Sequence, residues 1–366
     1  LLDPMIDQHD VGENIFHSRT SNWIAKEMWQ YFASKGVLSE SPLLKTHRAD
    51  IFEIYCSTES QLTQQARAQG LWAERHSLQD GDLKSRSGRF RLYERLLRLR
   101  PKHVWLSPRC KAWCRWNEFN RHKTPELARK IMSDREEDQV HLMLCDAIFE
   151  FQRHRHPFCH AHLEQPAGSQ MLFQEELETI MANTWHARCD MCTAGNLKHP
   201  MTGNPMQKGT QIVTTSQIMH RYVDSLKCDK THDHDHVEGS FRNTKGDRVN
   251  ISQYTELYTR TFAMKIARCI RCSIRVHERL AEEFSFVIRD AEKPAEVPDP
   301  KRRKLSHKQP PTEAYQDQEV WDQRVDRFLK VAMDQAPKVG KRYLSNGDLI
   351  RLAQTMFPEC RIQWIE

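Results

Sequence analysis

From residue 49 onward, short apolar runs alternate with longer segments whose apolar residues recur at helical spacing. The short runs predict strands at residues 50–56, 72–76, 103–107, 159–166, 186–192 and 210–216. The longer segments predict helices at residues 62–70, 88–100, 134–155 and 173–184. Strands that alternate with helices pair in parallel, because each helix carries the chain back to the same edge of the sheet. The pattern therefore predicts an α/β fold whose sheet has helices on both faces.

Smaller units are predicted around this sheet. Residues 1–48 carry one amphipathic helix and predict an N-terminal helical appendage. The α/β domain is predicted over residues 49–290 and contains a long helix at 252–280. A proline-rich, basic segment at 291–316 predicts a disordered linker, and residues 317–366 predict a small helical unit.

Charge and cysteine content narrow the class of protein. The net charge of +6 is compatible with a nucleic-acid partner without requiring one. The 11 cysteines occur without a secretory signal, which favours free thiols, metal ligands or a nucleophile over disulfides. No apolar run reaches membrane-spanning length, so no membrane partner is expected. The first residue, Leu1, and the segment that ends at Glu366 indicate a piece of a longer polypeptide.

Reactive side chains follow four of the predicted strands. Residues 53–60 (EIYCSTES) belong to the first strand and its loop, and Glu74 and Asp82 accompany the second. Residues 108–110 (PRC) follow the third strand, and residues 164–166 (EQP) end the fourth. Because parallel strands bring their carboxyl ends to one edge, we expect these groups to meet there.

The order of EIYCSTES (53–60), an acid, SPRC (107–110) and LEQP (163–166) resembles the cytosine-C5 DNA methyltransferases. The similarity is greater to the methyltransferase-like domains of retroelement polyproteins, through SPRCKAW (107–113), EQPAGS (164–169) and CDKTHDHDHVEG (228–239), and it covers about residues 50–275. It implies a Rossmann-like, S-adenosylmethionine-methyltransferase-like sheet, DNA as the partner, and a link to the remainder of a polyprotein.

The resemblance also implies roles for individual residues. Cys110 matches the nucleophile that attacks cytosine, and Glu164 matches the carboxylate that holds the flipped base. The residues that match the S-adenosylmethionine site are Glu53, Tyr55, Ser57, Glu74 and Asp82. The alternative for Cys110 is an inert, packed thiol.

Basic and aromatic residues around Cys110 predict contacts with nucleic acid. The candidates are Arg109, Lys111, Trp113, Arg115 and Lys208. The three basic residues nearest Cys110 are expected to favour its thiolate. Trp113, Trp116 and Phe119 are candidates for stacking or wedging against bases.

The cofactor loop departs from the family pattern. The family's glycines fall at Ser57, Glu59 and Ser60, whose side chains crowd a loop that needs close backbone approach. Two functions therefore remain open. One is a cytosine-C5 methyltransferase in active or degenerate form, and the other is an inactive nucleic-acid-binding or assembly module on the same fold.

A second cluster has the residue types of a zinc site. Cys228, His232 and His234 have short local spacing, and Cys192 is the predicted fourth ligand, with Cys189 as the alternative. A solvated His/Asp loop with two unrelated thiols is an equal alternative. The basic run at 300–305 resembles a nuclear import signal, so a nuclear location is favoured over a cytoplasmic one.

Overall fold

The computed structural model describes residues 22–39, 41–156 and 158–291. The strands in this part are β1 Ile51–Cys56, β2 Ala73–Ser77, β3 His103–Leu106, β4 His160–Pro166, β5 Trp185–Asp190, β6 Met206–Gln207, β7 Gly209–Thr214, β8 Asp235–His236, β9 Ser240–Arg242 and β10 Arg248–Asn250. The helices are α1 Trp23–Ser34, α2 Pro42–Lys45, α3 Gln61–Ala68, α4 Arg86–Leu99, α5 Arg115–Asn120, α6 Pro125–Arg155, α7 Glu178–Ala182, α8 Met191–Ala194, α9 Gln217–Asp224, α10 Ile251–Tyr254 and α11 Arg260–Ala291.

Six strands form the main sheet in the order β2-β1-β3-β4-β7-β5. β1 pairs in parallel with β2 and with β3, and β3 pairs in parallel with β4. β7 lies antiparallel to both β4 and β5. The predicted α/β class is thus confirmed. The sheet is mostly parallel rather than wholly parallel as predicted, because no helix separates β6 from β7, and β7 runs antiparallel to both of its neighbours.

Helices cover both faces of this sheet. In β3, Val104 and Leu106 belong to one buried apolar cluster, whereas Trp105 belongs to the other, as the alternation of side chains along a strand requires. Residues of α1, α4 and α6 fill the first cluster, and residues of α3, α9 and α11 fill the second. Apolar contacts cover most of both faces.

One end of the sheet gathers the segments that carry the candidate residues. We call it the carboxyl rim: the edge formed by the carboxyl ends of β1, β3, β4 and β5 and by the amino end of β7. β7 contributes its amino end because it is reversed, so that Thr210 pairs with Pro166 and Gly209 pairs with Asp190. Lys208 and Cys192 flank these positions, so the rim lies beside both predicted sites.

Several predicted elements have different bounds, and of the helix predicted at 173–184 only Glu178–Ala182 is α-helical. The helix predicted at 134–155 begins at Pro125, where the Thr124 hydroxyl accepts a hydrogen bond from the Leu127 amide at 3.2 Å. The strand predicted to reach residue 192 ends at Asp190. The helix predicted at 252–280 is divided into α10 and α11, and the Thr259 hydroxyl accepts from the Phe262 amide at 3.1 Å at the second start.

Other predicted units lie partly or wholly beyond this description. α1 confirms the helix of the N-terminal appendage, but residues 1–21 lie outside the described residues. So do the linker beyond residue 291, the basic run at 300–305 and the unit at 317–366. The chain divides into two compact units, the first ending at His277 and the second beginning at Glu278, whereas the sequence predicted a boundary at residue 290. Within the described segments, no helix has both the length and the apolarity that crossing a membrane requires.

Candidate functional site at the carboxyl rim

Cys110 and Glu164 meet at the carboxyl rim, as predicted. Gln165 fixes the Cys110 loop to β4, because its side-chain amide donates a hydrogen bond to the Pro108 carbonyl at 2.8 Å and is itself buried. The negative charge of Glu164 acts on Cys110, and the positive charge of Lys208 opposes it. The sheet therefore places a thiol, a carboxyl group and an ammonium group around one point.

The Cys110 side chain is held as a thiol. Burial is the main cause, and together with the charge of Glu164 it raises the pKa of Cys110 to about 11. Arg109, Lys111 and Arg115 are not among the main causes of this shift, and all three are exposed. The prediction that these basic residues favour a thiolate is therefore wrong, because burial and the charge of Glu164 raise the pKa of the thiol.

Tyr258 is a member of the site that sequence reasoning missed. Its hydroxyl donates a hydrogen bond to Glu164 Oε2 at 3.0 Å and accepts one from the Trp105 indole Nε1 at 3.0 Å. The Ser107 hydroxyl lies 2.5 Å from the Tyr258 hydroxyl oxygen. Burial raises the pKa of Glu164, while Lys208 and the Tyr258 hydrogen bond act in the opposite direction. The break between α10 and α11 is what brings Tyr258 to the rim.

Lys208 faces the interior of the site. Its ammonium group donates to the Thr255 carbonyl, next to the start of the α10–α11 break. Its charge lowers the pKa of both Glu164 and Cys110. The charge of Lys208 therefore acts on Glu164 and Cys110, and Lys208 is not part of an outward-facing surface for nucleic acid.

In the predicted cofactor loop, the Glu53 side chain makes its hydrogen bonds within the fold. The buried carboxylate of Glu53 accepts from the Ser60 hydroxyl, from the Thr63 hydroxyl at 2.7 Å and from the Thr63 amide at 3.2 Å. Glu53 thereby provides a hydrogen-bond acceptor for a backbone amide in the first turn of α3, where amides have no partner within the helix. Ser57 and Glu59 are exposed, so neither side chain fills a pocket beside Glu53.

Tyr55 ends the regular part of β1. Its φ of +67° is rare for a residue with a bulky side chain, and the β1–β2 register shifts between Ile54 and Cys56. Its ring packs edge-on against His141 with 5.2 Å between ring centroids. Tyr55 thus forms a bulge whose side chain points into the core rather than towards a ligand.

Glu74 lies away from the carboxyl rim. It is the second residue of β2, and its carboxylate is 3.4 Å from the Arg95 guanidinium. With Arg48 and Trp72 it lines a depression of about 150 Å³ beside the amino ends of β1 and β2. The acid that closes the carboxyl end of β2 is Asp80, which accepts from the Ser77 amide and hydroxyl at 2.8 Å each.

The remaining predicted residues divide between surface and core. Asp82 lies in the loop after β2, where its carboxylate accepts from the Lys84 amide at 3.0 Å. Trp113 is only 3% exposed, and the Arg135 guanidinium lies 5.2 Å above its ring. The prediction that Trp113 stacks on bases is therefore wrong, because the core already covers it.

The four predicted metal ligands come together. Their ligand atoms, from Cys192, Cys228, His232 and His234, all lie within 4.8 Å of one another. The Cys228 sulfur is 3.7 Å from His232 Nε2 and 3.5 Å from His234 Nε2, and His234 Nε2 is 3.3 Å from the Cys192 sulfur. Two sulfurs and two imidazole nitrogens at these separations can surround one metal ion.

Neighbouring groups orient these ligands. The Cys228 sulfur accepts the Lys230 amide at 3.2 Å, and Lys230 adopts a φ of +61° to allow it. The Cys228 amide donates to Asp190 Oδ2 at 2.9 Å, which ties the loop to the end of β5. The alternative ligand Cys189 is fully buried in the apolar cluster and is not in the group, because alternation along β5 turns it into the core.

Comparisons with protein-family models, with curated proteins and with solved structures found no match to this chain.

Proposed function

We propose that the chain is a nucleic-acid-binding module on a methyltransferase-like fold, in which Cys110 and Glu164 hold a single base at the carboxyl rim. The observation that carries the proposal is the meeting of Glu164, Cys110 and Lys208 beside the basic segment 109–123. In this proposal the chain is a methyltransferase-like unit of a retroelement polyprotein, and its partner is nucleic acid. The resemblance favours DNA.

The sheet is compatible with a Rossmann-like fold, of which the proposed methyltransferase-like fold is one form. β2, β1, β3 and β4 pair in parallel, and β7 is the reversed strand between β4 and β5. Ligands of open α/β sheets bind outside the carboxyl ends of the strands, which is where Cys110 and Glu164 lie.

The chemistry of Glu164 supports a base as the ligand. Burial raises its pKa, and in its protonated form the carboxyl group has one donor and one acceptor. The pairing edge of cytosine offers the ring acceptor N3 beside the N4 amino donor, so one carboxyl group can satisfy both. The base must be unpaired to present this edge.

The residues assigned to S-adenosylmethionine do not fit that cofactor. Glu53 uses its carboxylate within the fold, Glu74 lies at the other end of its strand, and the glycine positions carry the exposed side chains of Ser57 and Glu59. Base binding without methyl transfer is therefore the function we favour. Cytosine-C5 methylation is the second candidate, and the proximity of Cys110 to Glu164 favours it.

The full-length chain can be tested with two oligonucleotides that differ only by a cytosine or an abasic site at the centre. We expect several-fold tighter binding to the cytosine strand, a difference that Glu164→Ala abolishes. Glu74→Ala serves as the control, because that carboxylate lies at the opposite end of its strand. Equal affinity for both strands in the unaltered protein would refute base holding.

Calorimetry with S-adenosylmethionine separates the two candidate functions. We expect no binding to the unaltered chain, and Glu59→Gly tests whether a glycine restores it. Binding by the unaltered protein together with a methylated cytosine product would establish the second candidate.

We also propose that the Cys/His cluster binds Zn²⁺ as a structural site. Zn²⁺ favours thiolate and imidazole ligands, and four protein ligands leave no open position for catalysis. Since three of the ligands lie between residues 228 and 234, the ion would attach this polar loop to Cys192 at the end of β5.

A further inference from the structure

Two large aromatic side chains lie exposed immediately after the Cys110 loop. Trp116 is 65% exposed and Phe119 is 56% exposed, both on the short helix α5. Their ring centroids are 6.2 Å apart, with an angle of 57° between the ring planes. We call this pair the aromatic platform.

The platform is not needed to attach its segment to the fold. Trp113 already anchors the segment in the core, and α5 contains no buried residue. Arg135 adds a hydrogen bond to the Ala112 carbonyl at 3.1 Å and an ion pair to Glu118 at 3.0 Å. Trp116 and Phe119 therefore leave exposed an apolar area that folding does not use.

The surroundings of the platform are strongly positive. Segment 109–123 contains five basic residues (Arg109, Lys111, Arg115, Arg121 and Lys123) and one acid (Glu118), a net charge of +4 with histidine neutral. Glu118 is already paired with both Arg121 and Arg135. The Arg115 guanidinium lies 5.8 Å from the Phe119 ring centroid, so charge and aromatic face are presented together.

We propose that the aromatic platform binds unpaired bases of a single-stranded nucleic acid, and that the strand continues from it to Cys110. The inference rests on the proposed nucleic-acid binding and specifies its substrate. Stacking needs a free base face, and in a duplex both faces of an internal base are covered by its neighbours. Exposed aromatic rings beside cations are the means by which proteins hold single strands without sequence preference.

Binding of fluorescently labelled single strands of about 12 nucleotides tests the proposal, since single-strand sites cover roughly this length. The probes are an oligodeoxyuridylate, an oligouridylate and a DNA duplex of equal length. We expect the better-bound single strand to bind at least about tenfold more tightly than the duplex. The ratio of the two single strands identifies the preferred sugar.

Trp116→Ala and Phe119→Ala are each expected to weaken single-strand binding by about 5- to 100-fold, the range for loss of one stacked base. Both side chains are exposed, so the fold should be retained, and near-ultraviolet circular dichroism checks it. Trp72→Ala is the matched control, because Trp72 is 49% exposed and lies at the opposite end of the sheet.

Three results would overturn the proposal. One is equal binding of duplex and single strand, and another is an effect of Trp116→Ala no larger than that of Trp72→Ala. The third is that Trp116→Ala or Phe119→Ala reduces self-association, measured by sedimentation, and leaves strand binding unchanged. That result would mean that the platform binds a second copy of the chain. If the preference for the cytosine strand persists in any of these cases, base holding at Glu164 is supported without the aromatic platform. If no nucleic acid binds, both proposals fail.

Discussion

At the scale of single residues, the rim site depends on groups whose charge is set by burial. Cys110 is held as a thiol, and burial raises the pKa of Glu164. Each group influences the other, because a negative charge on Glu164 disfavours ionisation of Cys110. The reactivity of the thiol therefore reports on the carboxyl group.

Glu164→Gln should accelerate alkylation of Cys110 about three- to tenfold at pH 8, because it removes a nearby negative charge and so lowers the pKa of the thiol. Iodoacetamide labelling followed by mass spectrometry of the Cys110 peptide gives the rate. Glu74→Gln is the control and should leave the rate unchanged. An unchanged rate in Glu164→Gln would show that the two side chains are not coupled.

Tyr258→Phe should destabilise the fold by about 1 kcal/mol, because Glu164 loses a hydrogen bond from a neutral donor. The same loss raises the pKa of Glu164 further. A carboxyl group whose pKa is raised on folding contributes stability at low pH and loses it as the pH rises through the folded value. Urea unfolding should therefore show a larger deficit at pH 8 than at pH 5, and a deficit independent of pH would contradict this.

At the scale of elements, β3, β4 and α11 enclose a layer of histidines. His103 Nδ1 lies 2.9 Å from His162 Nε2, and His162 Nδ1 lies 2.8 Å from the Thr214 hydroxyl. Burial lowers the pKa of His162 to about 3 and that of His277, on α11, to about 4. These rings are neutral in the folded protein but take up protons on unfolding in mild acid.

Stability should consequently fall as the pH decreases from about 6.5 towards 4, by about 1.4 kcal/mol per pH unit for each such histidine. The sign follows because the unfolded chain binds more protons in this range. Urea unfolding across the range measures the slope. His277→Gln should reduce the slope by about 1.4 kcal/mol per pH unit, which is the contribution of one histidine. His122→Gln, which alters an exposed ring, should leave the slope unchanged.

The polar loop between α9 and α10 would be held in place by the proposed zinc ion, since it contains few buried residues. Cys228→Ser should abolish the retention of one zinc ion per chain and increase hydrogen exchange across residues 228–250. Elemental analysis after gel filtration measures the metal. Cys189→Ala should retain zinc, and its loss in that variant would return Cys189 to the ligand set.

At the scale of the whole molecule, the basic segment 109–123 lies on the carboxyl rim, whereas the depression beside Glu74 lies at the opposite end of the sheet. Association with a polyanion is therefore expected at the carboxyl rim. Each phosphate that contacts a basic residue releases counterions from the nucleic acid.

We expect the logarithm of the single-strand binding constant to fall with the logarithm of salt concentration with a slope of about −2 to −3, for three to four phosphate contacts. Lys111→Gln should reduce the magnitude of the slope by about 0.7. Lys26→Gln, an exposed change on α1, is the control. A slope near zero would exclude phosphate contacts.

The sequence alone determined the class of the fold, since apolar periodicity is local and directly reflects strand and helix. It also predicted that Cys228, His232 and His234 come together with a further cysteine, because these three lie within seven residues of one another. The tertiary structure decided which groups act. Burial makes Cys110 a thiol, the first turn of α3 occupies Glu53, and the core covers Trp113 but leaves Trp116 exposed. A break in a predicted helix adds Tyr258 to the site. These outcomes depend on neighbours distant in the chain, and the periodicity of a single segment carries no information about such neighbours.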